Sequence, residues 1–115
     1  MTTFRRIHRD DIEAHLKAGT PMHLVEALPP RHYAQGHLPG AIRLDHDDVR
    51  TLAESRLPAK DALIVVYCAS AACQNSRLTA RTLAAMGYTR VAEYEEGKQD
   101  WIEAGLPLER ASVAS

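Results

Sequence analysis

The fold is decided by one stretch, Val65-Val66-Tyr67-Cys68-Ala69-Ser70-Ala71-Ala72-Cys73-Gln74-Asn75-Ser76-Arg77, in which a strand end, a cysteine loop and a helix start follow one another. The unbroken apolar run that it completes, residues 62–67, is typical of a strand covered on both faces, as in a parallel sheet. Ligand sites in open parallel sheets lie beyond the carboxyl ends of the strands. The sequence therefore predicts a site at Cys68, beside loop N–H groups and the positive end of the next helix.

Strand-like and helix-like segments alternate along the rest of the chain. Strands are predicted at residues 7–8, 23–27, 41–44, 62–67 and 91–94, each followed by a helical segment, the last after Gly97. Asp10 or Asp11 is expected to cap the first helix, and Asn75 or Ser76 the helix after the cysteine loop. This order favours an α/β fold, an open, mostly parallel five-stranded sheet with helices on both faces. We expect a single domain over residues 1–115, with a frayed tail at 110–115.

Composition narrows the class of protein. The chain is 45% hydrophobic and 25% charged, as expected for a globular, soluble domain. A net charge of −1 removes the electrostatic argument for binding nucleic acid or an anionic membrane. The N-terminus lacks the apolar segment of a signal peptide, and two cysteines five residues apart do not form a secreted disulfide framework. The expected location is the cytoplasm.

Four segments, in order, carry a resemblance that covers most of the chain. They are residues 24–27 with the turn 33–42, the strand end 65–68, the helix end 84–88, and the closing segments 97–101 and 104–108. Together they resemble a rhodanese-like domain, the sulfurtransferase module. The resemblance implies that Cys68 carries sulfane sulfur as a persulfide and that no cofactor or metal is required.

The cysteine loop departs from the family pattern Cys-Arg-Ser-Gly-x-Arg-Ser. Both loop arginines are missing, and Cys73 stands in place of the second. Glu26 replaces the usual aspartate at the end of the second strand, and Leu28 replaces the arginine that follows it. The chain is similar to a rhodanese subgroup with a second loop cysteine. Weak use of thiosulfate, and better use of persulfide donors, are expected.

The proposed chemistry needs a thiolate. A free thiol has a pKa of about 8.5, and helix N-termini or cations lower it to roughly 3.5–7.5. The loop amides of Ala69, Ser70, Ala71, Ala72, Cys73 and Gln74 are expected to bind the substrate and to stabilise this thiolate. Small sulfur donors and acceptors, or the thiol of a partner protein, are the expected partners.

Three residues that are expected to lie near Cys68 have two interpretations each. Cys73 either resolves a sulfur species on Cys68 by forming a disulfide or only packs beside the loop. Glu26 either orients loop groups or is a solvated carboxylate. Arg77 either attracts an anionic donor or lies on a solvated helix face. His37 is expected to make structural hydrogen bonds in its turn, and two cysteines are too few for zinc.

Three other functions remain as alternatives. A thiol–disulfide redox protein would use Cys68 and Cys73, and a non-catalytic rhodanese-like module would bind or regulate a partner. A cysteine phosphatase is a poor fit because its Cys-x5-Arg loop needs an arginine at the position of Gln74.

Overall fold

The structure, a computed structural model, describes residues 4–110. The strands of this part of the chain are β1 (Arg5–Arg6), β2 (His23–Glu26), β3 (Ile42–Arg43), β4 (Leu63–Tyr67) and β5 (Arg90–Tyr94). The helices are α1 (Arg9–Ala18), α2 (Pro30–Gln35), α3 (Val49–Arg56), α4 (Asn75–Ala85) and α5 (Gly97–Glu103). Residues 111–115 of the tail that was expected to fray lie outside the described residues.

The five strands form one sheet in the order β1-β5-β4-β2-β3, and all neighbouring strands are parallel. Residues of α3 and α4 pack with one face of the sheet, and residues of α1 and α5 pack with the other. The predicted α/β class, with helices on both faces, is confirmed. The long connections between parallel strands are made by these helices.

The central strand β4 explains why its sequence does not alternate. All five of its residues are buried. Ile64 and Val66 enter the core on the α3 and α4 side, whereas Leu63, Val65 and Tyr67 enter the core on the α1 and α5 side. A strand with helices on both faces contributes apolar side chains at every position, each worth about 1.5–3 kcal/mol when fully buried.

The first strand is shifted from its predicted position. β1 is formed by Arg5 and Arg6, not by residues 7–8. Ile7 donates its N–H to the Glu93 carbonyl (3.0 Å) while its side chain enters the core. His8 is the N-cap of α1, and its N–H donates to the Asp11 carboxylate (3.2 Å). The predicted cap at Asp10 or Asp11 was wrong, because Asp11 lies within the first turn of the helix and accepts from the N-cap residue instead of preceding the helix.

The helix after the cysteine loop also begins differently. Its N-cap is Gln74, not Asn75 or Ser76, and the Gln74 side chain makes no capping hydrogen bond. The Ser76 hydroxyl donates instead to the buried Glu93 carboxylate (2.7 Å). A tertiary contact therefore takes the side chain that sequence rules assign to capping.

The beginning of α5 lies against the end of β4. The N–H groups of Lys98 and Gln99 donate to the carbonyls of Cys68 and Ala69, both at 2.8 Å. Gly97 has a φ of 71°, and a Cβ atom on it would lie 2.5 Å from the Cys68 carbonyl oxygen. Only glycine permits both this backbone conformation and this approach.

We expect Gly97→Ala to lower the free energy of unfolding by about 3 kcal/mol, because a left-handed conformation costs roughly 1–2 kcal/mol and a collision is added. Urea unfolding checks this value. Gly105→Ala is the matched control, since Gly105 has a φ of 76° and open space around its Cβ position. Equal losses in the two variants would show that the approach to Cys68 contributes nothing.

Candidate active site at the end of the central strand

Cys68 follows the last residue of β4, at the carboxyl edge of the sheet. It is fully buried, and β4 is flanked on both sides by strands that end at the same edge. This is the position predicted for it, where parallel α/β sheets place their ligand sites. The hydrogen bond from Lys98 N–H fixes its carbonyl, so the cysteine backbone is held from outside its own loop.

Cys68 and Cys73 form a disulfide, with their Cα atoms 6.2 Å apart. This separation lies within the range of about 4.4–6.8 Å that disulfides require. The Cys73 N–H donates to the Ser70 carbonyl (3.1 Å), and this turn brings the second cysteine back to the first. Of the two interpretations of Cys73, the disulfide partner is therefore the one that the structure contains.

In the disulfide form, two of the loop N–H groups that were expected to bind the substrate already have acceptors within the loop. The Cys73 N–H is used inside the turn, and the Ala72 N–H lies 3.4 Å from the Ser70 hydroxyl oxygen, to which it donates. Cys73 is partly exposed, whereas Cys68 is fully buried. The two sulfur-bearing residues thus differ in their access to solvent.

Glu26 is buried, not solvated, and it forms an ion pair. Its carboxylate accepts from the Tyr67 hydroxyl (2.7 Å) and from Lys98 Nζ (3.0 Å), and the Lys98 side chain is only 13% exposed. Lys98 also donates to the His32 carbonyl (3.0 Å). Burial first, and the Glu26 carboxylate second, raise the pKa of Tyr67, which therefore remains a hydrogen-bond donor at ordinary pH. Of the two interpretations of Glu26, the solvated one is wrong.

The hydrogen-bonded pair of Glu26 and Tyr67 links the edge of the sheet that carries Cys68 to the turn at residues 36–41. The Tyr67 hydroxyl accepts from the Leu38 N–H (3.0 Å). In the same turn, His37 stacks on Tyr33 with ring centroids 3.8 Å apart, and its Nδ1 lies 2.9 Å from the Tyr33 carbonyl oxygen. The structural role expected for His37 is confirmed.

A second buried carboxylate, Glu93, lies on the other face of the sheet. It is paired in register with Val66, so the two side chains lie on the same side of the sheet, the side covered by α4. Side chains alternate along a strand, so Cys68, two residues after Val66, belongs to the same side. Ser76 in the first turn of α4 donates to it. A negative charge on this face opposes a thiolate at Cys68, whereas the helix end favours one.

Sequence reasoning missed both Lys98 and Glu93. Lys98 carries no signal, because its role depends on the buried Glu26 of a distant strand. Glu93 could have been found, since a carboxylate inside a strand covered on both faces must be buried and hydrogen-bonded.

Two further residues have other partners. Arg77 lies 3.6 Å from the Glu95 carboxylate, and its side chain is 46% exposed. Of its two interpretations, the structure agrees with the residue on a solvated helix face. Trp101 is buried in the core and donates its ring N–H to the Pro107 carbonyl (2.8 Å).

A small groove of about 190 Å³ opens beside the cysteine loop. Ala69 and Lys98 contribute the side nearest to the loop, and Leu28, Ile102 and Leu108 make most of the remainder apolar. Leu28 occupies the position where the family pattern has an arginine. The groove therefore offers a largely apolar surface at Ala69, the residue after Cys68, and Cys68 itself does not line it.

Among residues 4–110, no group of three or more His, Cys, Asp and Glu side chains is arranged to hold a metal ion. Within the same described part of the chain, no helix has the length and apolar character needed to cross a membrane.

Comparison with known families gives one decisive match. The sequence model described as the rhodanese-like domain matches residues 8–104. The chain belongs to the rhodanese-like domain family. The match spans Cys68, Cys73 and the two buried carboxylates with their partners, and of the groove residues named above only Leu108 lies beyond it.

Solved structures with the same fold come from several organisms. A protein from Bacillus halodurans has a TM-score of 0.85 at 24% identity, covering 92% of this rhodanese-like chain and 77% of its own. A rhodanese with anions from E. coli has a TM-score of 0.66 at 28% identity, covering 78% of this chain and 99% of its own. A protein of unknown function from Rhodopseudomonas palustris, described as a possible tyrosine phosphatase, has a TM-score of 0.79 at 27% identity, covering 92% of this chain and 85% of its own.

We expect Lys98→Met to destabilise the protein by about 3–5 kcal/mol, because it leaves the Glu26 carboxylate buried without its cation. Urea unfolding of this variant measures the loss. Adding Glu26→Gln removes the uncompensated charge and keeps an acceptor for Tyr67, so the double variant should regain about 2 kcal/mol. Additive losses in the two single variants and the double variant would contradict the coupling.

Proposed function

We propose that this rhodanese-like protein transfers sulfane sulfur through a persulfide on Cys68. The observation that carries the proposal is the place of Cys68, at the carboxyl end of the central strand, bonded to a second sulfur atom. Another sulfur can therefore approach Cys68 Sγ at bonding distance. The family match supports the same class of reaction.

The reaction begins from the reduced protein. The Cys68 thiolate attacks the outer sulfur of a donor R–S–SH, a new S–S bond forms on Cys68, the bond between the two donor sulfurs breaks, and R–S⁻ leaves and takes up a proton. A thiophilic acceptor then attacks the terminal sulfur of the persulfide, and the Cys68 thiolate leaves. The outer sulfur changes carrier, and neither step needs a cofactor.

The donor is proposed to be an organic persulfide in preference to thiosulfate. The groove beside Ala69 is largely apolar, with Leu28 at one wall. Glu26 and Glu93 bring two buried carboxylates to the neighbouring strands, and Lys98 is already paired with Glu26. Binding a dianion here means desolvating it with little positive charge to compensate.

A thiol–disulfide redox protein is the second candidate, because the two cysteines are joined in the structure. It would exchange electrons without carrying sulfur.

The possible phosphatase among the solved structures suggests a third chemistry. That chemistry needs a guanidinium after the cysteine loop, and Gln74 stands at this position. A purely binding module would have no need for a cysteine at the end of the strand.

We expect reduced Cys68→Ser to form thiocyanate from cyanide and an alkyl persulfide no faster than the mixture without protein, because the sulfur-carrying atom has been removed. Reduced Cys73→Ser should still form it. Single-turnover assays on protein freed of reductant measure both. Activity in Cys68→Ser together with its loss in Cys73→Ser would show that Cys73, not Cys68, carries the sulfur.

We expect thiosulfate to show a higher KM than an alkyl persulfide, because the loop lacks an arginine. Cys73→Arg should lower the KM for thiosulfate by about tenfold relative to Cys73→Gln, a neutral control of similar length. Steady-state kinetics with both donors check this. A lower KM for thiosulfate than for the persulfide in the unmodified protein would reject the proposed donor class.

A further inference from the structure

The two cysteines are positioned for a reaction that goes beyond simple transfer. The strand end holds Cys68, whose carbonyl accepts from the Lys98 N–H. The Ser70–Cys73 turn holds Cys73, and the Cα atoms of the two cysteines are 6.2 Å apart. Once reduced, the Cys73 thiol would therefore stay close to whatever group forms on Cys68.

We propose that Cys73 resolves the Cys68 persulfide, so that the protein releases its sulfane sulfur as hydrogen sulfide and is reset by a dithiol reductant. This inference rests on the proposed function, since it needs the persulfide as its substrate. The product of the resolving step is the disulfide that the structure contains.

The resolving step balances within the two side chains. The Cys73 thiolate attacks Cys68 Sγ, the bond from Sγ to the outer sulfur breaks, and HS⁻ leaves and takes up a proton. The outer sulfur gains two electrons, and the two cysteines lose two electrons as they join. No metal or other oxidant takes part.

The internal thiol competes well against an external acceptor. A thiol held on the same short loop has an effective concentration far above that of a free thiol or of cyanide. Cys68 is fully buried, so an external acceptor has restricted access, whereas Cys73 is already bonded to it across the loop. The persulfide should therefore be short-lived whenever Cys73 is reduced.

Reduction of the disulfide begins at the sulfur of Cys73. Cys73 is partly exposed and Cys68 is not, so a dithiol D(SH)₂ attacks Cys73 Sγ and the Cys68 thiolate leaves. The second thiol of the reductant then frees Cys73. The net reaction is R–S–SH + D(SH)₂ → R–SH + H₂S + D(S₂), a persulfide reductase activity.

The test treats reduced protein, freed of reductant, with an equimolar alkyl persulfide and without cyanide. Released sulfide and the intact protein mass are measured. The unmodified protein should release about one sulfide per chain and show the mass of the disulfide form. Cys73→Ser should release none and gain the mass of one sulfur atom on Cys68. Cys73→Ala repeats the measurement in case serine perturbs the turn, and Cys68→Ser gives the background from decay of the donor.

The outcomes separate this inference from the proposed function. A stable extra sulfur on the unmodified protein, without sulfide, would overturn the resolving role and leave the transferase intact. Disulfide formation without sulfide would overturn it as well. Failure of both Cys73 variants to gain sulfur would overturn the proposed function, and this inference with it.

Discussion

Two backbone hydrogen bonds, from the Lys98 and Gln99 amides to the Cys68 and Ala69 carbonyls, connect α5 to the end of β4. They require Gly97, because its backbone passes too close to the Cys68 carbonyl for any side chain. They also place the Lys98 side chain where it reaches Glu26 on the neighbouring strand. The edge of the sheet that carries Cys68 is thus held by contacts from a helix that lies about thirty residues further along the chain.

The charges around this edge determine what the site can bind. Lys98 neutralises Glu26 on one face, while Glu93 on the other face is held by the neutral Ser76 hydroxyl. The loop itself contributes small side chains and backbone dipoles, which stabilise an anion less than a guanidinium does. Under the proposed function, a site of this kind would take a sulfur donor with an organic substituent in preference to a free dianion.

The fold was predictable where burial on both faces determines the sequence. The apolar run of β4 and its position before Cys68 follow from that constraint, and so does the alternation of helices and strands. β1 was not predictable, because Arg5 and Arg6 form an exposed edge strand whose position depends on pairing with β5 and not on hydrophobicity. The start of α4 was missed for a similar reason, since Ser76 is used by Glu93.

The candidate site was predictable only in part. The family resemblance located Cys68 and its loop, and spacing allowed a bridge to Cys73 without requiring one. The partners of Glu26 could not be found, because Tyr67 and Lys98 meet it only through the strand register and the path of α5. Long-range pairs between charged residues leave no local pattern in a single sequence.

The central claim is that the two cysteines have unequal roles, with Cys68 as the buried sulfur carrier and Cys73 as the accessible partner. The most direct measurement is to treat the disulfide form briefly with a small monothiol, quench it with an alkylating reagent, and map both cysteines by mass spectrometry. The account predicts the monothiol on Cys73 and the alkyl group on Cys68, because attack occurs at the exposed sulfur and the thiolate at the strand end leaves. The monothiol on Cys68, with Cys73 alkylated, would contradict it.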